Sequence, residues 1–342
     1  MPLAVILGGT GAIGITLSQR LIAEGFNVIV TGRDPAHVPP ALEETAARFI
    51  VADRDDPATL TGLLAQGADL VVDCVCYHER QAAMLVPYLD NVARTVMISS
   101  KAVYVDSLGN HSNSEEPARF DGPISEDQPT IRPNGADWTT SAGYGANKVA
   151  AEETLLDTGY RVSILRPSKV HGAYARRPRE WVYVRRILDG RRTLLTSPER
   201  SGVDHPSAAA NIAALITTLT PLQGSHVLNI ADPDAPSGVE IARIVAQQLD
   251  TTFDEMSIDT GTDRRFNPWD SRYPVVLDTS RAEALGYRPI GDYATTVAAE
   301  IDWLVDLAHH RKTSQFDEDP FFAPFFDYAF EDRLLATASR RP

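Results

Sequence analysis

Apolar residues in the first half of the chain alternate between short unbroken runs and longer stretches of helical period. Leu3-Ala4-Val5-Ile6-Leu7 is continuous, as expected of a strand covered on both faces in a parallel sheet. Ile15, Leu17, Leu21 and Ile22 then recur at helical spacing up to Gly25. The alternation continues. Phe26–Val30, Phe49–Ala52, Leu70–Val75, Thr95–Ile98 and Tyr160–Leu165 read as further strands, with helices from about Glu79 to Leu89 and from Tyr144 through Leu156. Strands alternating with helices predict an α/β fold built on a doubly wound parallel sheet. After residue 167 the alternation weakens. A basic, aromatic helix runs from Arg176 towards Asp189, followed by a helix over Ala208–Leu219, a strand over Val227–Ala231 and a helix over Gly238–Leu249. A short capped helix within 278–287 and a longer one over Tyr293–Leu307 complete the series. The stretch from Val105 to Gly143 is polar and rich in Gly, Pro, Ser, Asn and Asp; a loop of that length inside a domain points to function or disorder.

The first strand runs directly into Gly8-Gly9-Thr10-Gly11-Ala12-Ile13-Gly14 and then into a helix. This is the context a dinucleotide fingerprint requires: glycines allow the backbone to approach a pyrophosphate, and the helix N-terminus offers amides and partial positive charge. The spacing is Gly-x-x-Gly-x-x-Gly. At the end of the second strand, where a NAD site places an acid on the ribose, stands Gly32, followed by Arg33. A guanidinium there can clamp a 2′-phosphate, which favours NADP; a shift of one residue in the strand end would bring Asp34 into play and restore NAD. Asp53 ends the third strand, placed to accept from an adenine amino group or to cap the next helix. Tyr77 and His78 follow the fourth strand, where they could line the cofactor site.

Composition narrows the class. The 342 residues are 43% hydrophobic and 23% charged, with a net charge of −14. That balance fits a soluble globular protein and argues against a broad nucleic-acid or anionic-membrane surface. Cys74 and Cys76 are the sole cysteines, too close along one strand for a good disulfide. No metal-ligand spacing, secretory n-region or membrane-spanning run stands out, so the expectation is a cytoplasmic protein without a metal.

Tyr144 and Lys148 are four apart and share one helix face. An ammonium beside a phenol favours the phenolate and equips it for proton exchange. The chain has 11 Tyr but only four Lys, at 101, 148, 169 and 312.

In this order and spacing, Gly8-x-x-Gly11-x-x-Gly14, Asp53, Ser99-Ser100-x-x-Val103-Tyr104, Tyr144-x-x-x-Lys148, Leu165-Arg166-Pro167 and Asp278-Thr279-Ser280 with Leu285-Gly286-Tyr287-Arg288-Pro289 resemble the extended short-chain dehydrogenase/reductase superfamily. The likeness is to its NAD(P)-dependent epimerase/dehydratase branch, over about residues 3–305. It implies a Rossmann-type sheet with a smaller C-terminal α/β substrate lobe. It implies a cofactor-binding domain over 1–167 with returning segments such as 203–232 and a substrate lobe over 168–312. Beyond it, the aromatics concentrated in the acidic stretch 316–328 would form a large apolar patch if exposed, so the tail over 313–342 is expected to pack on the body, on a partner or over the site. Ser100 would be the catalytic hydroxyl, Tyr144 the proton donor or acceptor, and Lys148 the partner of both the nicotinamide ribose and Tyr144. Gly8, Thr10, Gly11, Ala12, Ile13, Gly14, Arg33, Asp53, Tyr77, Ser99, Tyr144, Lys148, Pro167, Lys169 and Val170 would border the cofactor. A homodimer through the helix around Ala146–Leu156 is expected by the same analogy.

The departures bear on substrate. The place after Arg166-Pro167 where relatives carry a substrate-contacting asparagine holds Ser168 or Lys169, and Asn211-Ile212-Ala213 replaces a later acidic stretch. Lys101 and Ala102 follow the serine where a dehydratase would want two carboxylates. The expectation is an NAD(P)(H)-dependent oxidoreductase or epimerase acting on a sugar-like or other polar small molecule. The alternatives are a ketoreductase of a non-sugar metabolite and a non-catalytic NADP-binding sensor of the same fold. The arginines of 176–192 read either as a solvated face or as contacts to an anionic substrate.

Overall fold

The computed structural model describes residues 1–35, 38–198, 202–258 and 265–338. Among the described residues eleven strands form in chain order: β1 (Leu3–Leu7), β2 (Asn27–Gly32), β3 (Arg48–Val51), β4 (Leu70–Asp73), β5 (Thr95–Ile98), β6 (Val162–Pro167), β7 (Lys169–His171), β8 (Thr193–Thr196), β9 (Pro206–Ala208), β10 (His226–Ile230) and β11 (Asp254–Ser257). Seven of them make one sheet in the order β10-β6-β5-β4-β1-β2-β3, and every pairing in it is parallel. The strand order reverses between β1 and β4, so the crevice beyond their carboxyl ends is the topological switch point where ligands of such sheets bind.

The strand pleat sorts side chains between two cores. Ala4 and Ile6 of β1 face one cluster with Leu17 and Leu21 of the helix Ala12–Ala23 and with Ile212 and Leu215 of the helix Ala209–Leu219. Val5 and Leu7 face the other, with Leu60, Leu64, Leu85 and Leu155 from the helices Pro57–Leu64, Glu79–Leu85 and Ser141–Leu156. This is the doubly wound, Rossmann-type fold expected from the alternation of runs. The strands Leu3–Leu7 and Thr95–Ile98 form as predicted and the other predicted strands have ends shifted by at most two residues, while the helix begun at Glu79 gives way to a 3₁₀ turn over Val86–Asn91, where Pro87 removes a helical amide.

A third core lies beyond the sheet. Trp181, Tyr183, Ile241, Trp269, Val297 and Ile301 bury one another, and Tyr183 stacks on Trp269 with ring centroids 5.7 Å apart. Phe316, Phe322 and Phe325 enter this same core. The acidic residues between and after those aromatics pair with the basic helix Trp181–Leu188 and its flanks. Arg177 Nε lies 2.6 Å from Asp319, Arg186 is bidentate to Glu331 at 2.6 and 2.8 Å, and Arg191 lies 2.6 Å from Asp332. Arg185 pairs with Asp317 and covers the Phe326 ring. Arg177, Arg185, Arg186 and Arg191 are therefore not a bare solvated face; the tail is their partner. Among the described residues no helix is long and apolar enough to cross a membrane.

Candidate active site

The glycine turn between β1 and the helix Ala12–Ala23 is packed without slack. A Cβ on Gly14 would stand 2.3 Å from the Gly9 Cα, so the helix can sit this close to the turn only with glycine there. Gly11 is the N-cap and has no side-chain capping bond, and the first turn carries no acid. Its uncapped amides and dipole suit a pyrophosphate. Gly8, Thr10, Gly11 and Ile13 are half-buried around this end, while Ala12 is buried beneath it. A Cβ on Gly11 would find no atom nearer than Tyr174 O at 3.9 Å. The turn is thus filled on its inner side and open on its outer one, which fits a dinucleotide.

β2 ends at Gly32 itself. A Cβ there would lie 2.8 Å from Thr10 Cγ2 and 3.1 Å from Phe49, so a side chain at this position would have to displace one of them. Arg33 and Asp34 follow it, both exposed. Asp53 is exposed beyond β3 and accepts from the Asp55 amide at 2.9 Å. Its neighbour Arg54 turns inward to Asp73 at the end of β4, with Nε 3.0 Å from the carboxylate. This buried pair braces the ends of β3 and β4.

Tyr77 follows β4 and stacks on Trp138, centroids 4.9 Å apart and planes 12° apart. Trp138 comes from the long polar stretch, which is tied back by Ile131 N donating to Val103 O and by a bridge between Tyr104 and Thr130. The stretch thus forms one wall of the crevice. Cys74 and Cys76 are free thiols, pushed up to about 12 by burial, with Asp73 adding to it.

Ser100 is half-buried, directly after β5, and its hydroxyl accepts from Ala102 N at 3.1 Å in a 3₁₀ turn over Lys101–Val103. The helix Ser141–Leu156 packs on that turn through Gly145, where a Cβ would fall 2.4 Å from Ala102 O. The glycine after Tyr144 therefore sets how near the tyrosine's helix comes to the serine's turn. Tyr144 is half-buried. Lys148 is buried, and its Nζ donates to Cys76 O at 2.7 Å and Ile98 O at 2.9 Å. The ammonium lies 4.7 Å from the Tyr77 ring centre and 5.9 Å from that of Tyr144. Two carbonyls at adjacent strand ends hold the charge between the two phenols, and an ammonium's third N–H remains for another acceptor.

Ser99 points the other way. Its hydroxyl bonds Glu152, which also pairs with Arg166 Nε at 3.2 Å. Arg166 Nη1 reaches the Tyr104 hydroxyl at 3.1 Å, which donates to Asn229 Oδ1 at 2.7 Å. Burial pushes the Tyr104 phenol up to about 12, so it serves as a neutral bridge. This network lies under the site, and whatever Ser99 offers a cofactor must come from its backbone. Pro167 is buried at the end of β6, with Lys169 and Val170 half-buried in β7. β7 pairs with β9, Lys169 against Pro206, and this brings Asp204 alongside. Lys169 Nζ is 3.1 Å from Asp204 Oδ2, and Lys101 pairs with the other oxygen.

Next to β7 lies a buried cluster that no sequence spacing announced. His171 Nε2 is 2.7 Å from Asp232, Tyr293 donates to Glu180 at 2.8 Å, and Glu300 accepts from Gly172 N. Burial works against a charged His171, but the bond to Asp232 and its charge outweigh it and hold the imidazole above its ordinary value. Glu300 is raised well above the carboxylate range by burial and by Glu180. Ligand-type atoms of His171, Glu180 and Glu300 lie within 4.8 Å of one another.

The chain has the shape of several solved enzymes. It resembles the Bordetella bronchiseptica enzyme WbmH, solved with NAD+, at a TM-score of 0.68 and 16% identity over 90% of this chain and 99% of that one. It resembles UDP-glucuronic acid 4-epimerase from Bacillus cereus, solved with UDP-glucuronic acid and NAD, at 0.67 and 17% over 89% and 99%. It also resembles dTDP-glucose 4,6-dehydratase from Bacillus anthracis, solved with NAD, at 0.67 and 14% over 90% and 98%. No curated protein matches the sequence significantly. The profile of the NAD dependent epimerase/dehydratase family, however, matches residues 4–231, which span the sheet, the glycine turn, Ser100, Tyr144 and Lys148. The chain belongs to that family, and is a nicotinamide-dinucleotide-dependent enzyme of the extended short-chain dehydrogenase/reductase type.

Proposed function

We propose that this enzyme interconverts a hydroxyl and a keto carbon on a sugar-like or other polar small molecule, with NADP(H) as its dinucleotide. The observation that carries the reading is the fixed ammonium of Lys148 beside the Tyr144 ring. A nicotinamide dinucleotide, when bound, supplies the hydride donor or acceptor. The chain's own residues supply the rest. Tyr144 gives or takes the proton on the substrate oxygen. Lys148 holds its ammonium 5.9 Å from the Tyr144 ring centre and offers its remaining N–H to a ribose hydroxyl. The Ser100 hydroxyl donates to the same oxygen and stabilises charge there.

NADP rests on the end of β2, where Gly32, crowded by Thr10 and Phe49, stands in place of the ribose-binding acid and Arg33 follows. A guanidinium there suits a 2′-phosphate. Simple reduction and epimerisation share this machinery, whereas dehydration would need carboxylates where Lys101 and Ala102 stand. The two free thiols suit a reducing cytoplasm. A homodimer through the helix Ser141–Leu156 rests on family analogy; sedimentation at a monomer's mass would remove it.

Tyr144→Phe is the test of the chemistry. Turnover of keto sugars and ketones, read as nicotinamide absorbance, should fall about 10²–10⁴-fold while dinucleotide binding stays near normal. Retained turnover would remove Tyr144 from the reaction. A wild-type protein that binds the dinucleotide but converts nothing across the panel would favour a sensor.

A further inference from the structure

Lysine is scarce in this chain, yet three of the four stand at one end of the sheet. Lys148 is committed to two backbone carbonyls. Lys101 and Lys169 are not; both reach Asp204, with the Ser168 hydroxyl 3.4 Å from the same carboxylate. The side chains of Lys101, Asp204 and Lys169 are 8%, 13% and 21% exposed. With both amines protonated, two ammoniums against one carboxylate would leave one positive charge uncompensated in a largely desolvated place, a cost relieved by loss of a proton or by the arrival of an anion. Burial pushes both ammoniums well below their ordinary value, and the nearby Arg179 pushes the same way. The chain as a whole carries −14, so this spot is not part of a general cationic surface.

The topology places that charge beside the reacting groups. β5 and β6 are adjacent, with Ile98 paired to Leu165. Ser100 and Lys101 follow the first, and Lys169 follows the second by way of Pro167 and Ser168. Asp204 holds the two ammoniums at a shared spacing, and an incoming anion completes the neutralisation.

We propose that Lys101 and Lys169, bridged by Asp204, form a receptor for a monoanionic group of the substrate, a carboxylate, next to Ser100. With both amines protonated, Lys101, Lys169 and Asp204 sum to one positive charge, which matches a monoanion better than a phosphate dianion. The proposal deepens the reading of this crevice as a substrate site and rests on it. It makes the substrate an acid, such as a sugar acid or a hydroxy or keto acid.

Because the chain has four lysines, side-chain ammonium signals of the ¹⁵N-lysine protein can be followed singly, assigned with Lys101→Arg and Lys169→Arg. The full chain with its dinucleotide is titrated with acetate, D-glucuronate, inorganic phosphate and D-glucose. The Lys101 and Lys169 signals should move saturably with acetate and glucuronate, and stay fixed with glucose, while Lys312 does not respond. Lys169→Met should weaken glucuronate binding roughly tenfold, as expected for loss of one charge-assisted hydrogen bond. No saturable movement of either signal, movement with phosphate alone, or movement matched by Lys312 overturns the receptor. The readout needs no turnover. A protein that shows the shifts but converts no substrate loses the oxidoreductase reading and keeps the receptor; an active protein without the shifts does the reverse.

Discussion

Gly14 and Gly9 touch backbone to backbone: a Cβ on Gly14 would lie 2.3 Å from the Gly9 Cα and 2.4 Å from its carbonyl oxygen. Backbone cannot yield as a flexible side chain can, so Gly14→Ala must push the helix Ala12–Ala23 off the turn. Overpacking of this kind costs about 1–3 kcal/mol. The melting temperature should fall and dinucleotide binding should fail. Gly11→Ala is the contrast, since its Cβ meets nothing nearer than 3.9 Å. That variant should melt as wild type does while binding the dinucleotide more weakly, because the added methyl faces the place of the pyrophosphate. Equal melting losses in both variants, by differential scanning calorimetry, would refute this division of roles.

Arg33 decides the choice between dinucleotides if the β2 end works as proposed. Arg33→Ala removes one charge-assisted contact to a 2′-phosphate, so the Kd for NADPH should rise about 10–100-fold while that for NADH changes little. Fluorescence titration of the two reduced dinucleotides measures both. An unchanged ratio would return the site to NAD, the dinucleotide held by the solved relatives.

The parts of this architecture legible in the sequence are those whose cause is local. β1, β4, β5 and β6 are covered on both faces, and that demands unbroken apolar runs. Tyr144 and Lys148 meet because one helix carries them four apart. β7 and β9 are three residues long, and β11 is fully exposed, so neither length nor hydrophobicity marked them. Their pairing is imposed by the fold. The same holds for side chains that meet across long separations. Arg177 and Asp319 are 142 positions apart, and the basic helix and acidic tail showed complementary charge without showing that they were partners. Lys101 and Asp204 come together only when β7 pairs with β9. Trp138 sits in the polar stretch with no periodicity to indicate that it would stack on Tyr77.

Glu152 and Arg166 test the floor of the site. Both are buried, and each has further partners in Ser99 and Tyr104. Removing one partner leaves the other charge uncompensated, so Arg166→Met should cost about 3–5 kcal/mol of stability. The double variant Arg166→Met with Glu152→Met should lose less than Arg166→Met alone, because no orphan charge remains. Denaturant unfolding of the single and double variants measures the coupling, and a double loss equal to the sum of the singles would show that the pair acts independently.

Glu300 sets a pH dependence with a definite sign. It is fully buried, faces Glu180, His171 and Arg179, and keeps its proton well above the usual carboxylate range because of burial and of Glu180. In the unfolded chain the same carboxyl ionises near its ordinary value of 4.5. The folded state therefore binds more protons than the unfolded one above that pH. The stability this proton provides is complete below the unfolded value and is lost as pH rises towards the folded one. His171, raised by Asp232, acts in the same direction above its own ordinary value of 6.5. Glu300→Gln keeps an acceptor for the Gly172 amide and removes the titration. The variant should match wild type near pH 4 and gain on it as pH rises to 7, with a slope no steeper than about 1.4 kcal/mol per pH unit for one proton. Melting curves of the two proteins across that range read the difference directly, and a difference that shrinks with rising pH would show that Glu300 is ionised in the folded protein.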